Sequence, residues 1–476
     1  MRRITAAFQT LGCKTNHYET DAIRMQFQRA GFEAAAFSQE ADIYILNTCT
    51  VTGEADRKTK QYLRRVRNDH PGAVLVAIGC AVELGTDQKA VDIQLGTFKK
   101  NNTLAEVIQF IVSNRPDLEE QLNAEVLDSI KNEQPSDSAK RLIEAEQADG
   151  LSRARAGDIA GSAGMPLYDE WGLVDRQSET RAHIKIEDGC DYACSYCAIP
   201  MARGPVRSRV PDNILAEASA LAKAGYKEIV LTGIHICSFG KDWHKPGEHL
   251  MHLALDLSAI KGIRRIRLGS LEPRYITDEW IALAKKNKKL CPHFHLSLQS
   301  GSNTVLARMN RRYDTRTFTH VVTQLRDHFD DPAITTDIIT GFPGETQQEH
   351  EESLAYCRKT GFSRMHVFKY SRRAGTAAAA MMNQVDPHVI SQRSKEMGDL
   401  AGTLMTEYHQ RQIGRTLQII LEKQLSGHSF SGYSEQYMPV RVHVSERCRS
   451  GSLITAKASR IDKNNVICSN AICIDP

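Results

Sequence analysis

Two things are scarce in this 476-residue sequence: long apolar runs and an excess of charge of one sign. No run approaches the ~20 apolar residues that a membrane-spanning helix needs, so we expect no membrane span. The first residues contain no apolar signal segment, so we expect a cytoplasmic protein whose cysteines stay reduced. Lys plus Arg number 61 and Asp plus Glu number 57. The net charge of +4 excludes a global basic field as evidence for a nucleic-acid partner, and any such footprint has to be local.

What the chain does contain is cysteine in two groups of three. Cys190, Cys194 and Cys197 form a Cys-x3-Cys-x2-Cys loop. Because a chain advances at most roughly 3.3–3.6 Å per residue, this spacing keeps the three sulfurs close together, as one iron–sulfur cluster requires. A zinc site would need a second compact Cys or His pair downstream, and none follows. An iron–sulfur cluster is therefore favoured over zinc or structural thiols. Three thiolates leave one iron of a four-iron cluster open to a cofactor or substrate.

The other three cysteines, Cys13, Cys49 and Cys80, lie far apart in sequence but in equivalent places. Within residues 1–112, short apolar runs alternate with helix-periodic stretches, which is typical of a doubly wound parallel α/β domain. Each of the three cysteines ends a predicted strand. Because the carboxyl ends of such strands meet at one edge of the sheet, we expect the thiols to converge on a second cluster. The alternative is that each is merely a small apolar strand residue.

Polar residues and predicted helices follow these strands. Lys14 and Asn16 come after the first cysteine, and Asn47 and Thr48 come before the second. They could donate hydrogen bonds to cluster sulfurs, or they could be ordinary turn residues. The predicted helices cover about residues 19–30, 53–68 and 82–89.

Three further segments complete the predicted organisation. Residues 113–179 are rich in Glu, Gln, Asp, Ser, Ala and Gly. We interpret them as an expanded linker with one or two amphipathic helices, with an RNA or protein contact as the alternative. Residues 180–411 return to strand–helix alternation, which is long enough for a partial barrel with its active face at the C-terminal ends of the strands. Residues 412–476 contain four short alternating strands, typical of a small OB-like β-barrel.

Several motifs resemble those of a known family. GCDYACSYCAIP, with Tyr196 before its last cysteine, is similar to the cluster loop of the radical S-adenosylmethionine (SAM) superfamily. TLGCKTN, NTCTVTGEAD and IGCAVE resemble the N-terminal domain of its methylthiotransferase branch. Within that branch, LTGIHI, CPHFHLSLQSG, TDIITGFPGET and HVFKYSRRAGT are most similar to the MtaB-like subgroup, which modifies threonylcarbamoyladenosine in tRNA. The resemblance covers nearly the whole chain apart from the predicted linker.

The resemblance implies a fold, an activity and its cofactors. The fold is an incomplete (β/α)6 barrel followed by a TRAM domain that binds RNA. The cofactors are two 4Fe-4S clusters and SAM, with one cluster cleaving SAM to a 5′-deoxyadenosyl radical and the auxiliary cluster supplying sulfur for a methylthio group at C2 of the adenine. The expected partners are the anticodon loop of tRNA, an electron donor such as a flavodoxin or ferredoxin, and a sulfur source.

Alternatives to this function stay open at the level of sequence. The target could instead be isopentenyladenosine in tRNA or an aspartate of a ribosomal protein, which are the substrates of the sister subgroups. The chain could also be a non-enzymatic RNA-binding protein that uses iron–sulfur clusters or zinc structurally.

The resemblance also assigns residues to SAM. Those expected to contact it are Tyr196, Thr232, Gly233, Ser270, Glu272, Gln299, Asp337 and Gly341. Turn glycines and buried polar groups at strand ends are common in any fold, so it is their agreement in order that supports the assignment.

Local groups of basic residues indicate where RNA would bind. The residues predicted to contact it are Arg203, Arg207, Arg209, Arg311, Arg312, Lys369 and Arg372. Guanidinium groups suit phosphate and stacking contacts, although solvated surface charge explains any one group equally well.

Tyr433 and Tyr437 are candidates for base stacking or for ordinary packing. His293 and His295 share one face of a strand and are interpreted as packing or substrate-facing residues, and the six remaining cysteines as packing thiols.

Overall fold

The computed structural model describes residues 2–85, 91–123, 168–243, 248–445 and 447–475. Within these ranges no helix is both long enough and apolar enough to span a lipid bilayer. The helices predicted in the linker after residue 123 lie outside the described residues.

The N-terminal part is a five-stranded parallel sheet with strand order β2-β1-β3-β4-β5. The strands are β1 Thr5–Thr10, β2 Glu33–Ala35, β3 Ile43–Thr48, β4 Val74–Gly79 and β5 Ile93–Leu95. The helices are α1 Lys14–Arg29, α2 Gly53–Asp69, α3 Cys80–Glu83, α4 Thr103–Asn114 and α5 Pro116–Glu119, and a 3-10 turn covers Thr97–Asn102. Every residue of β3 and β4 is buried, because helices cover both faces of the sheet. The predicted doubly wound domain is confirmed.

Two of the predicted helices differ from those in the structure. α1 begins at Lys14 rather than at residue 19, because Cys13 has extended backbone and serves as the N-cap. α3 ends at Glu83, whereas the sequence predicts a helix over 82–89. The last part of that prediction falls on residues 86–90, which lie outside the described residues.

The central part is a partial barrel of parallel strands in two sheets, ordered β10-β9-β6 and β11-β12-β13-β14. The strands are β6 Ala182–Lys185, β7 Glu187–Asp188, β8 Arg207–Ser208, β9 Glu228–Thr232, β10 Arg265–Leu268, β11 Ser270–Leu271, β12 His293–Leu296, β13 Ala333–Thr340 and β14 Arg364–Lys369, with β7 and β8 forming a separate antiparallel pair. The helices are α6 Ile199–Arg203, α7 Pro211–Lys223, α8 His249–Ala259, α9 Asp278–Lys286, α10 Asn303–Arg308, α11 Thr315–His328, α12 Gln347–Thr360, α13 Ala377–Ala380 and α14 Pro387–Gln412. A bridge between Ile266 and Leu290 links the two sheets.

The barrel strands alternate between apolar side chains that pack under the helices and polar side chains on the opposite face. On β6, Ala182 and Ile184 belong to the apolar core, so His183 and Lys185 face the barrel interior. The corresponding residues on β9, β10 and β12 are Glu228, Arg265, Arg267, His293 and His295. The barrel interior is therefore lined by ionisable groups.

The C-terminal part is a closed barrel of five strands. They are β15 Thr416–Ser426, β16 Ser429–Ser434, β17 Pro439–His443, β18 Leu453–Asp462 and β19 Asn465–Asp475. The small β-barrel is confirmed, but the sequence predicts four strands and misses β16, because Ser and Gly dominate it. Gly432 is required there, since a Cβ would lie 2.2 Å from the Ile420 carbonyl oxygen on β15.

The C-terminal barrel docks on the interior of the partial barrel. Arg265 donates to the Gln418 carbonyl at 3.0 Å, and Arg267 donates to the Ser434 carbonyl at 3.2 Å. Buried arginines of the central strands thus bind backbone carbonyls of the C-terminal domain, and this brings the loop after β16 into the barrel interior.

Residues 168–178 lead from the linker into β6. Trp171 and Val174 pack in the core of the N-terminal domain. The Lys185 ammonium lies 5.4 Å from the ring centroid of Tyr168. This last part of the linker therefore contacts the N-terminal domain and the barrel together.

Candidate active site

The three N-terminal cysteines lie together at the carboxyl edge of the first sheet. Cys13 caps α1, Cys49 follows β3 directly, and Cys80 is the first residue of α3. Burial raises the pKa of Cys49 to about 12, and the neighbouring Cys13 and Cys80 act in the same direction. Gly12 has a φ of +101°, and a Cβ there would lie 2.5 Å from the Cys49 sulfur. Only glycine fits beside this thiol.

Local backbone geometry suits thiolates at this edge. The positive end of the α1 dipole lies at Cys13, because this residue is the N-cap of the helix. The Val51 amide donates to the Cys49 sulfur at 3.5 Å. Hydrogen bonds to sulfur are one of the means by which a protein stabilises a cluster and sets its reduction potential.

The central triad occupies the loop between β7 and α6. The Tyr192 amide donates to Cys190, and the Ile199 amide donates to Cys197. In both cases the donor is two residues after the cysteine, as Val51 is for Cys49. The Arg311 guanidinium lies 3.2 Å from the Cys194 sulfur. Burial raises the pKa of Cys190 to about 12.

The chemistry of both triads fits 4Fe-4S clusters. Each offers three thiols, together with amide or guanidinium donors directed at sulfur. Among the described residues, no group of three His, Cys, Asp or Glu side chains is arranged to hold a single metal ion. Thiols whose pKa is raised by burial keep their protons until a metal displaces them.

The two triads border one interface between domains. α3, which starts at Cys80, contacts α6, which starts two residues after Cys197. The positive charge of Arg203, at the end of α6, acts on the Cys80 and Cys49 thiols. Three cysteines of the N-terminal sheet and three of the barrel therefore lie on the two sides of the same contact.

A buried ion network joins the two sides. Glu19 on α1 accepts hydrogen bonds from three cations, which are Lys100 at 2.6 Å, Lys185 at 2.7 Å and Arg203 at 2.9 Å. Asp188 accepts from Lys185 and Arg203, both at 2.8 Å. All five side chains are at most 8% exposed. Burial opposes the ionisation of Glu19, but Arg203, Lys100 and Lys185 hold its pKa well below its usual range.

Residues predicted to contact SAM include a connected polar group at the strand ends. Thr232 ends β9 and is buried. The next residue is Gly233, and a larger residue would not fit there because its Cβ would lie 2.1 Å from a Glu187 carboxylate oxygen. Glu272 is 2% exposed and pairs with Arg274 at 2.7 Å and with Arg311 at 3.6 Å.

The Glu272 and Glu187 carboxyls have opposite protonation preferences. Burial raises the pKa of Glu272, but hydrogen bonds from His235 and Arg274 and the charge of Arg311 outweigh it and lower that pKa to about 2. Burial and the negative charge of Asp188 raise the pKa of Glu187 to about 8.

The other predicted SAM residues are dispersed around this group. Gln299 has a φ of +71°, which is strained for a residue with a side chain, and its amide donates to the Asp337 carbonyl at 2.9 Å. The Asp337 carboxylate lies 3.2 Å from His295. Tyr196 packs on an apolar cluster that contains Met309. Ser270 is exposed at the start of β11.

Gly341 has its backbone already engaged in packing. Its amide donates to Glu345 at 3.0 Å, and a Cβ would lie 2.4 Å from the Ile390 side chain on α14. Its role in this structure is to bring β13 close to α14.

Three of the arginines predicted to bind RNA are inside the protein. Arg203, Arg207 and Arg209 are 0%, 4% and 2% exposed. Arg207 pairs with Asp188 at 3.3 Å and Arg209 with Glu217 at 2.6 Å. The prediction that these three contact RNA has to be corrected, because RNA cannot reach side chains that are buried in ion pairs at a domain interface.

Arg311 also has a different role from the predicted one. It is 9% exposed and binds Cys194 and Glu272. By contrast, Arg312, Lys369 and Arg372 are exposed. Arg312 and the end of β14 therefore provide the accessible part of the predicted RNA surface.

The polar residues flanking the N-terminal triad are mostly held by backbone. The Asn16 amide donates to the Leu11 and Thr48 carbonyls at 2.8 and 3.0 Å, and Asn47 donates to the Asn16 carbonyl at 3.0 Å. The Thr48 hydroxyl donates to the Ile78 carbonyl at 2.7 Å. These hydrogen bonds fix the loops that carry the cysteines. They agree with the interpretation of Asn16, Asn47 and Thr48 as turn residues rather than as donors to cluster sulfurs.

The aromatic and histidine candidates lie in the barrel interior. Tyr433 and Tyr437 stack on each other with centroids 4.8 Å apart. The Tyr437 ring lies 5.1 Å from His293, and His293 bonds Thr335 at 3.2 Å. These tyrosines pack between domains and do not form an exposed stacking platform.

Sequence reasoning missed the ion network and the Glu187–His235 contact, in which the His235 amide donates at 2.5 Å. One signal was present. IKIEDG, RIRL and HFHL alternate apolar and charged residues, which indicates strands with one charged face. Glu19 and Lys100 carried no such signal, because each is one charged residue among many.

Comparison with known proteins agrees with this geometry. Residues 184–357 match the radical SAM superfamily, and residues 5–95 match the family described as "Uncharacterized protein family UPF0004". The first range contains the central triad and the second contains the N-terminal triad.

Three relatives align over most of the chain. Threonylcarbamoyladenosine tRNA methylthiotransferase MtaB of Bacillus subtilis (strain 168) is 36% identical, with 92% of this chain and 90% of that protein covered. The protein of the same name from Thermotoga maritima is 32% identical, with 99% and 98% covered. The tRNA-2-methylthio-N(6)-dimethylallyladenosine synthase of Thermoanaerobacter sp. (strain X514) is 30% identical, with 87% and 81% covered.

Proposed function

The chain belongs to the MtaB-like family of threonylcarbamoyladenosine tRNA methylthiotransferases, and from this premise we propose that it inserts a methylthio group at C2 of N6-threonylcarbamoyladenosine in tRNA, next to the anticodon. The observation that carries the proposal is the arrangement of the two thiol triads. They come from two different domains and border one interface.

The two triads have separate tasks in this proposal. Cys190, Cys194 and Cys197 would hold the cluster that binds SAM, and Cys13, Cys49 and Cys80 would hold the auxiliary cluster. When bound, the clusters and SAM supply the electron, the deoxyadenosyl radical and the sulfur that the reaction needs.

The chain's own residues position these groups and shield them. Arg311 donates to Cys194 and pairs with Glu272, so it ties the cluster loop to the end of β11. The network around Glu19 fixes α1, and with it Cys13, relative to β6 and α6. Such positioning matters because a reactive group has to meet its target in one geometry and away from water.

The exposed cations suggest how RNA approaches. Lys369 and Arg372 lie at the end of β14, and the loop after it contacts α2, where the Gly53 amide donates to Ser371 at 3.0 Å. Arg373 in that loop pairs with Asp56. We propose that this rim, Arg312 and the 412–476 barrel bind tRNA, and that an unpaired base of the anticodon loop enters between the domains.

The remaining partners and the domain boundaries are part of the same proposal. A flavodoxin or ferredoxin delivers the electron and a separate sulfur source reloads the auxiliary cluster, in the cytoplasm where tRNA is modified. The functional units are residues 1–112, 113–179, 180–411 and 412–476.

Nucleoside mass spectrometry of tRNA tests the proposal directly. A strain that lacks the gene should lose 2-methylthio-threonylcarbamoyladenosine and accumulate its precursor, and the restored gene should reverse both changes. Unchanged 2-methylthio-threonylcarbamoyladenosine would refute the substrate. Loss of the dimethylallyl derivative instead would assign the chain the activity of its dimethylallyladenosine relatives.

A second assay separates an enzyme from a structural metal protein. The anaerobically purified chain with a chemical reductant should cleave SAM to 5′-deoxyadenosine and methionine. A zinc-containing protein that does not cleave SAM would contradict the proposal.

A further inference from the structure

Lys14 is a cation at the site that forms no ion pair with any described residue. It is the first residue of α1 and directly follows Cys13, a ligand of the proposed auxiliary cluster. Its side chain is partly buried and extends towards the C-terminal domain, where the ammonium lies 5.5 Å from the Tyr437 ring centroid. Within the described part of the chain, this ammonium has neither a hydrogen-bond acceptor nor an ion-pair partner.

The carboxylates that act on Lys14 and on the neighbouring Arg181 are already engaged. Glu228 on β9 receives hydrogen bonds from Arg265 and Arg267, both at 2.7 Å. Glu422 on β15 pairs with Arg181 at 2.8 Å.

Asp337 on β13 faces the same interior and lies 3.2 Å from His295. Glu435, in the loop after β16, has its pKa raised by burial, so its charged form is disfavoured. Among the described residues, Lys14 therefore has no uncommitted carboxylate beside it, and an anionic ligand group could take that place.

The surroundings of Lys14 are positive overall. Besides Lys14, two guanidinium groups lie close to the Tyr437 ring centroid, that of Arg181 at 5.0 Å and that of Arg267 at 4.9 Å. Burial raises the pKa of the Tyr437 hydroxyl, but the charges of Arg181, Lys14 and Arg267 outweigh it and lower that pKa. A positive potential with one uncommitted ammonium is the environment that an acidic ligand group requires.

The position of Lys14 relates it to one part of the nucleotide. C2 and N6 of adenine flank N1 on the same edge of the ring. If C2 faces the Cys13, Cys49 and Cys80 triad, the group on N6 is only a few bonds away. Lys14 is adjacent to Cys13 in the chain, so it is within reach of that group.

We propose that Lys14 selects a substrate whose N6 substituent carries a carboxylate, with the ammonium binding that carboxylate. The threonylcarbamoyl group has a free carboxylate, whereas the dimethylallyl group is uncharged and apolar. An apolar group would bury the ammonium without a partner, which is costly. This inference rests on the proposed function and adds to it the residue that distinguishes the two kinds of substrate.

Equilibrium binding to the anaerobic holoenzyme without reductant tests Lys14 apart from catalysis. The probes are three synthetic anticodon stem-loops that carry threonylcarbamoyladenosine, its threonyl methyl ester, or unmodified adenosine. The wild type should bind the free acid roughly ten- to a hundredfold more tightly than the ester, the range expected for a hydrogen bond to a charged group. Lys14→Gln should lose this preference, and Lys14→Arg should keep most of it.

Two controls make the result decisive. Lys285→Gln removes an exposed lysine on the outer helix α9 and should leave the preference unchanged. Iron content and cluster spectra of Lys14→Gln should match the wild type, because the inference gives Lys14 no part in holding the clusters. A variant that keeps the acid–ester preference, or that loses the auxiliary cluster, would overturn the inference and leave the proposed function intact. A wild type that does not modify threonylcarbamoyladenosine would instead refute the function.

Discussion

Glu19→Gln should weaken the contact between the N-terminal domain and the barrel. The Glu19 carboxylate accepts from Lys100 at 2.6 Å, Lys185 at 2.7 Å and Arg203 at 2.9 Å, and it is 1% exposed. The amide keeps the size of the side chain but removes its charge. Asp188 is then the remaining carboxylate of the network, and it contacts Lys185 and Arg203 but not Lys100.

The expected cost follows from the burial. Removing one partner from a buried ion pair costs about 3–5 kcal/mol, because the remaining charge stays desolvated without compensation. For units of 150–250 residues, 1 kcal/mol shifts the unfolding midpoint by about 2–4 °C. Glu19→Gln should therefore lower the midpoint by about 6–20 °C, measured by scanning calorimetry on the anaerobic protein.

The pH dependence of this loss has a definite sign. Arg203, Lys100 and Lys185 hold the pKa of Glu19 well below its usual range, against the effect of burial. A carboxyl with a lowered pKa in the folded state stabilises the fold above its unfolded pKa of about 4.3, and this stabilisation is lost as the pH falls through the folded pKa. The difference between wild type and Glu19→Gln should thus be constant across neutral pH and shrink only in strong acid.

Glu54→Gln on α2 is the matched control. Glu54 pairs with Lys58 at 3.0 Å, but the two side chains are 62% and 49% exposed. Exposed helical ion pairs contribute little to stability because water and salt screen them, so this variant should unfold close to the wild type. If Glu19→Gln unfolds at the same temperature as Glu54→Gln, the buried network does not hold the domains together.

Three further predictions concern the clusters and the RNA surface. Cys49→Ala should leave reductive SAM cleavage intact and abolish sulfur insertion, and loss of both activities in a folded variant would contradict separate roles for the triads. Gly12→Ala would place a Cβ 2.5 Å from the Cys49 sulfur, so iron analysis should show loss of one of the two clusters. The control Gly398→Ala, whose added Cβ would have no atom within 4 Å, should retain both clusters. Arg372→Ala should weaken tRNA binding and reduce the slope of log affinity against log salt by about 0.7–0.9, the value for one phosphate contact.

The parts of the fold that follow strong periodicity were predictable from the sequence. β3 begins with four apolar residues and β4 has no polar side chain. Cysteines follow both strands directly, so their place at one sheet edge could be inferred. β16 was not predictable, because SFSGYS places Gly432 and Ser434 in the barrel interior, where no apolar alternation marks a strand.

The cluster ligands were accessible to sequence reasoning and their supporting residues were not. Cys190, Cys194 and Cys197 are close in sequence, so their spacing alone predicts convergence. Arg203 and Arg207 follow them closely, and proximity suggested a surface for RNA. Whether such an arginine is exposed depends on how α1 packs against the barrel. That contact pairs Glu19 with Arg203, which lie far apart in sequence, and local sequence patterns carry no information about such contacts.

The charged interface has a physical reason beyond stability. Buried ion pairs seldom stabilise a fold more than apolar packing of the same volume would, because desolvation offsets their attraction. They do require one geometry. Glu19 binds Lys185 and Arg203 from the barrel together, so sliding α1 by one turn, about 5.4 Å, would leave those cations without it. An apolar contact would tolerate that shift with a smaller loss. Because Cys13 is the N-cap of α1, the network fixes the position of one triad relative to the other, as the proposed sulfur transfer would require.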